Sequence, residues 1–189
     1  MPKFSAATAG LALALAAPAY SAPYTIDPTH TFVHFEVMHF GTSTSRGRFE
    51  RSSGTLSLDR AAKTGAVDIT IDTNSISTGV PTLDKQLRGD KFFHVETFPT
   101  ARFVADNFQF NADQLSEVSG QFAMLGKTLP VTLKATRFNC YPHPFLKREV
   151  CGGDFEARIQ RSQWGLSIYA PDMIGEQVRL LIQIEAFKQ

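Results

Sequence analysis

The chain has 189 residues, with 19 Lys and Arg against 18 Asp and Glu. A formal charge of +1, with neither a basic stripe nor an acidic tail, argues against nucleic acid as a partner. Two cysteines, Cys140 and Cys151, are too few for a CxxC…CxxC zinc site, and no CxxCH haem-attachment run occurs.

The first residues read as a targeting segment. Met1 to Lys3 carries one positive charge, Ala6 to Ala17 is an apolar run broken only by small residues, and Ala17-Pro18-Ala19-Tyr20-Ser21-Ala22 is small and cleavable. That pattern predicts a secretory signal peptide over residues 1–21, too short in its apolar part to span a bilayer. A buried N-terminal helix is the competing reading. Residues 22–189 are then one domain, formally neutral because Lys3 supplies the excess charge, and expected in the periplasm. No later segment reaches the roughly 18 apolar residues of a membrane span. Export favours a closed Cys140–Cys151 disulfide, and a paired redox switch is the alternative use.

From Tyr24 onward the pattern has a period of two. Val33, Phe35 and Val37 alternate with His34 and Glu36, Leu56 with Ser57 and Leu58, and Val67, Ile69 and Ile71 with Asp68 and Thr70. Each is a strand with one apolar face. Pro81 to Phe93 breaks the pattern: Leu83 and Leu87 lie four apart, and a short helix capped by Thr82 and ending near Gly89 is expected. Strands resume around Phe103, and Val118 to Ala135 reads as a hairpin turning at Gly126. Phe155, Ala157 and Ile159 form the next strand, and Val178 to Ala186 the last. The cysteines would pin a long loop between neighbouring strands. The count predicts an all-β fold, an eight-stranded antiparallel β-barrel with one short helix. A two-sheet sandwich fits the same spacing.

Chemical motifs are weak. His30, His34 and His39 crowd the first strand, but four residues of strand span about 13 Å. Two nitrogens on one zinc must lie within about 4 Å, given bonds near 2.1 Å. His94 or His143 would be needed to complete a site. Gly41-Thr42-Ser43-Thr44-Ser45 begins like a nucleophile elbow but ends in serine. Gly126-Lys127-Thr128 lacks the glycine and the helix of a phosphate loop. Asp68 and Asp72 share a strand face and read as solvated. Sixteen phenylalanines suit either a packed core or a lined cavity. Apolar residues at the opposite parity (Phe32, Met38, Phe138, Leu181, Phe187) could meet a helix or a partner.

The opening residues Tyr24-Thr25-Ile26-Asp27-Pro28-Thr29-His30, then Val33 to Gly41 and Gly47-Arg48-Phe49, resemble the YceI-like family of bacterial polyisoprenoid-binding proteins. The likeness continues through Leu87-Arg88, Phe92-Phe93-His94-Val95, Phe98-Pro99, Gly120 to Val131, Arg161-Ser162 and Trp164-Gly165. His94 departs from the aspartate usual there, and the cysteine loop is not a mark of the family. The resemblance implies a lipocalin-like barrel holding a polyprenol or an isoprenoid quinone; with the motifs so weak, no cofactor, metal or catalytic residue is expected.

On that reading the inward-facing residues line a tunnel: Val33, Phe35 and Val37; Ile69 and Ile71; Phe103, Phe122 and Leu133; Ile159, Leu180 and Ile182. Phe93, Phe98 and Trp164 are expected at its mouth or lid. A brief contact with the inner membrane and a dimer are both compatible with such a carrier. A hydrolase or isomerase acting on a lipid-like substrate is the second reading, with His34 or His39 pointing inward. A barrel with a filled interior and an exposed apolar patch is the third.

Overall fold

A strand with one apolar face must turn it toward a core, and a sheet that closes on itself does so without leaving an edge. The computed structural model describes residues 21–189, so all but the last residue of the expected signal peptide lies outside them. The strands, in chain order, are β1 (Ala22–Ile26), β2 (Phe32–His39), β3 (Ser43–Phe49), β4 (Ser52–Asp59), β5 (Thr64–Asp72), β6 (Ile76–Ser77), β7 (Thr100–Asn111), β8 (Gln114–Met124), β9 (Lys127–Pro142), β10 (Glu149–Gln160) and β11 (Ile174–Lys188). The helix α1 (Pro81–Arg88) falls between β6 and β7.

Eight strand positions close the barrel, every pairing antiparallel. The ring runs β1-β4-β5-β7-β8-β9-β10-β11 and back to β1. The return pairing of β1 with β11 makes the fold a barrel and not a sandwich. β2 and β3 extend the positions of β1 and β4, with β11 pairing β1 near its end and β2 along its earlier part.

Side chains build the break between β1 and β2. The Asp27 carboxylate accepts from the Thr29 amide and hydroxyl at 2.8 and 2.7 Å, and its other oxygen meets His30 Nδ1 at 2.7 Å. The Asp27 amide donates to the Glu185 carbonyl at 2.8 Å, and Thr31 Oγ1 accepts from the Glu185 amide at 3.2 Å. The motif that opens the chain therefore interrupts a strand without orphaning its neighbour's backbone. Burial pushes the Asp27 carboxyl upward, but the bonds from His30 and Thr29 outweigh it and hold the group below its ordinary value.

The helix lies where the broken alternation placed it and ends against Gly89, but Thr82 is not its cap. Val80 occupies that position, Pro81 supplies the first turn, and Asp84 instead accepts from the Thr78 amide and hydroxyl at 2.7 and 2.6 Å. The expected Cys140–Cys151 disulfide between neighbouring strands is formed, and only its setting differs. The cysteines lie within β9 and β10, directly opposite each other in the ladder. The disulfide staples two paired strands; the hairpin loop, residues 143–148, lies beyond it.

Bulges change which residues face inward. In β7 an extra residue at Asp106 moves the inward set from Phe103 and Ala105 to Phe108 and Phe110. In β9 the shift beside Thr136 moves it from Leu133 and Ala135 to Phe138 and Cys140. Phe138 thus faces the interior despite its even number. Phe32 and Phe187 stay outside, beneath the guanidinium groups of Arg48 and Arg148, and Leu181 faces outward, half-buried.

Candidate functional site

The barrel interior is not filled. A cavity of about 600 Å³ runs along it, within the range of about 300–1,000 Å³ usual for small-molecule sites. Cross-strand neighbours build its wall: Phe35 and Leu180 in one layer, Val33, Ile182 and Phe155 in the next. Gly47 stands opposite Phe35, and a Cβ there would come within 2.3 Å of the Phe35 ring. Glycine at that point is what lets the ring lie along the wall.

Exposure shows how the cavity is closed. The wall residues open to solvent are His39, Phe40, Arg46, Gln86, Tyr169 and Met173. All six lie at the end formed by the β2–β3 turn, α1 and the 161–173 connection. At the other end Thr31, Leu56, Val67, Leu115, Cys151 and Ala186 are buried wall residues. There the disulfide and a Tyr24–Glu149–Lys188 chain, with bonds of 2.6 and 3.3 Å, tie the strands together. Burial, then the bond to Glu149, pushes the Tyr24 phenol upward, and the same bond holds Glu149 below its ordinary value despite burial. Among the described residues the cavity is a one-ended pocket.

Apart from Thr31 at the closed end, its polar side chains gather near the open end: His39, Ser45, Arg46, Thr78, Gln86, Arg161 and Tyr169. Arg161 is buried, and its guanidinium donates to the carbonyls of Gly175, Leu166, Ile168 and Ile174 at 2.6 to 3.0 Å. It holds the 165–174 loop against the barrel. Burial lowers its proton affinity, partly offset by Glu176, yet a guanidinium stays charged. Gly165, at φ 97°, ends the short 3-10 turn Arg161–Trp164 in the left-handed region, where glycine carries no steric cost.

Twelve of the fourteen wall and mouth residues expected from the sequence line this cavity. They are Val33, Phe35 and Val37 on β2, Ile69 and Ile71 on β5, Phe103, Phe122 and Leu133 on β7 to β9, Ile159, Leu180 and Ile182 on β10 and β11, and Phe93 after α1. Phe98 and Trp164 stand outside its wall. Trp164 is buried, with its indole N–H donating to the Phe122 carbonyl at 3.1 Å and its ring 5.7 Å from that of Phe122. Phe98 packs against His94. The sequence reading missed Phe108 and Phe138, turned inward by the bulges, and also Arg161 and the rim residues Phe40, Gln86, Tyr169 and Met173. The even-numbered phenylalanines were the available signal for the first pair.

The histidines separate. His30 belongs to the strand break. His34 faces outward between Arg48 and Leu181, where burial first, then the Arg48 charge, lowers its proton affinity. His39 reaches the rim, its ring against that of Phe40 at 4.7 Å. Among the described residues no three His, Cys, Asp or Glu side chains are placed to hold a metal ion.

A closed antiparallel barrel enclosing an apolar pocket defines a lipocalin-like architecture. Residues 24–186 match the sequence profile of the YceI-like domain, and the chain belongs to that family. It is 30% identical over 174 residues to Protein YceI of Salmonella arizonae, and equally to that of Salmonella enteritidis, covering 90% of each chain. Its fold is similar to Burkholderia cenocepacia BcnA, with a TM-score of 0.68 and 18% identity over 85% of this chain and 98% of that one. It is also similar to a polyisoprenoid binding domain from Saccharophagus degradans, with a TM-score of 0.64 and 17% identity over 90% and 100%. The Campylobacter jejuni YCEI protein superimposes with a TM-score of 0.66 at 21% identity, over 80% and 90%.

Proposed function

We propose that this protein is a periplasmic carrier, exported by residues 1–21, that holds an isoprenoid-type lipid in its barrel, tail inward and polar head at the open end. A polyprenol or an isoprenoid quinone fits this description. The observation that carries the reading is the pocket itself, open at one end only, apolar along its length and polar near its rim. Its volume of about 600 Å³ holds about twenty water-sized groups at about 30 Å³ each. That is about four five-carbon isoprene units. Burying them gains about 16 kcal/mol gross at about 0.8 kcal/mol per carbon, against about 4–15 kcal/mol for immobilising a ligand.

Membership of the YceI-like family and the likeness to a polyisoprenoid binding domain support the same ligand class. An apolar pocket discriminates one methylene by only about 1–3 kcal/mol, so selectivity among chain lengths is loose. The outward position of His34 favours binding over catalysis. The test is native mass spectrometry of the exported protein, followed by organic extraction. A bound mass that extracts as a prenol or quinone is expected. Protein that is empty from every host and takes up neither compound overturns the proposal.

A further inference from the structure

Large apolar side chains are exposed at both ends of the barrel, but they are differently placed. At the closed end Phe145 and Leu146 project from the β9–β10 loop, Phe145 at 86% exposure. They have no continuity with the pocket. At the open end Met38, Phe40, Val80, Tyr169 and Met173 are each 40 to 53% exposed, and three of them, Phe40, Tyr169 and Met173, also form the pocket wall.

This lip is built. The Phe40 amide donates to the Met173 carbonyl at 2.8 Å, and the Met173 amide to the Tyr169 carbonyl at 3.1 Å, tying the β2–β3 turn to the 161–173 connection. Met38 lies against Gly175, where a Cβ would come within 3.1 Å of the Met38 Cβ. Phe40 and Tyr169 hold left-handed backbone, at φ 49° and 60°. They are the Phe and Tyr residues in that state among the described residues, and a bulky side chain there is strained where glycine would not be. Two aromatic rings are thus kept, exposed and at a conformational cost, at the mouth of an apolar pocket.

We propose that this lip is the face with which the protein seats on a phospholipid bilayer, mouth toward the membrane. The inference rests on the carrier reading, since a ligand that dissolves in lipid and not in water must pass between bilayer and pocket without exposure. Phe and Tyr suit the interfacial depth of a bilayer, the Met side chains add apolar surface, and Arg46 at the rim, paired with Glu36 at 2.8 Å but with its side chain 66% exposed, faces the headgroup level. A protein seated on the same lip would cover the pocket's open end, whereas a bilayer continues the pocket into the medium that dissolves its ligand.

The test uses the full exported protein and vesicles of phosphatidylethanolamine and phosphatidylglycerol. Met38→Asp/Val80→Asp changes two exposed lip residues outside the pocket wall, and Phe145→Asp changes the closed end. Flotation measures seating, and uptake of a fluorescent prenol is followed from vesicles and, separately, from detergent micelles. Wild type and Phe145→Asp should float and extract prenol from vesicles. Met38→Asp/Val80→Asp should float about tenfold less and extract correspondingly slowly, while its uptake from micelles stays at the wild-type level. Flotation unaffected by the lip variant, or lost in Phe145→Asp instead, overturns the proposal, as does a wild-type protein that never floats. A lip variant that only converts a dimer to a monomer overturns it too, in favour of a second copy on this face. Failure of every protein to take up prenol from micelles overturns the carrier reading, while the flotation contrast still decides the bilayer face.

Discussion

The two ends of the barrel are made of different interactions. The closed end is held by covalent and charged ties: the disulfide, Tyr24 with Glu149 and Lys188, and the Asp27–Thr29–His30 turn. The open end is held by backbone carbonyls converging on Arg161 and by the strap from Phe40 to Met173, and it leaves apolar surface uncovered. A pocket needs both. The tied end closes the pocket with buried residues, and the open end is where the proposed ligand would pass.

The largest effect should come from abolishing the space between them. Leu133→Trp places a large ring into the cavity from a half-buried wall position. Bound isoprenoid should disappear on extraction, with the melting temperature no lower than wild type, since the ring enters existing volume. A fall in stability with ligand retained would mean that Leu133 is packed against protein.

Opening the disulfide should weaken the closed end. The cysteines are 11 residues apart, and the loop-entropy relation gives about 3 kcal/mol for a bridge of that length. For a domain of this size that is about 6–12 °C in melting temperature, read by comparing scans with and without reductant. At the open end, Arg161→Lys removes a fork that meets four carbonyls. We expect a loss of about 1.5–3 kcal/mol, with faster hydrogen exchange concentrated in residues 165–174. Uniform acceleration around the barrel would contradict a local staple.

Asp27→Asn should cost about 1–3 kcal/mol in urea unfolding, because a buried carboxylate with three hydrogen-bond partners becomes an amide with one acceptor. The pH dependence of this turn follows from opposite shifts. Asp27 is held below its ordinary value, so its contribution is present above about pH 4 and is lost as acid titrates the folded carboxylate. His30 is raised by its bond to Asp27, with burial opposing. Its contribution is complete below about pH 6.5 and fades as pH rises through the higher folded value. The His30 side chain is 59% exposed, so screening keeps this smallest effect well under about 1 kcal/mol. The stability difference between wild type and His30→Gln should shrink between pH 6 and pH 8, and a constant difference would assign His30 a packing role.

Legibility followed the same division. Strand parity read from Val33, Phe35, Val37, Leu180 and Ile182 placed those side chains on the cavity wall, because alternation is a local property of an extended chain. Phe108 and Phe138 were not legible, because one extra residue in a ladder reverses parity and leaves no mark in composition. Arg161 was missed as a site residue for another reason: its four acceptors are backbone carbonyls, which no sequence pattern advertises. The Cys140–Cys151 bridge between neighbouring strands was legible, but that both cysteines lie inside the strands and not in the loop was not, since strand ends depend on partners that lie elsewhere in the chain.

The sequence by itself determined an all-β chain, a helix starting at a proline, and one apolar face on most strands, all consequences of residue-level periodicity and turn chemistry. Whether those faces meet and fill, or stand apart around a pocket, was decided by the tertiary structure. Closure of β1 on β11 sets the ring at eight strands, the bulges set which side chains point inward, and Gly47 leaves room for the Phe35 ring. The stretch with three histidines became a strand break, an outer wall and a rim, because distances between side chains belong to the folded barrel and not to their spacing along the chain.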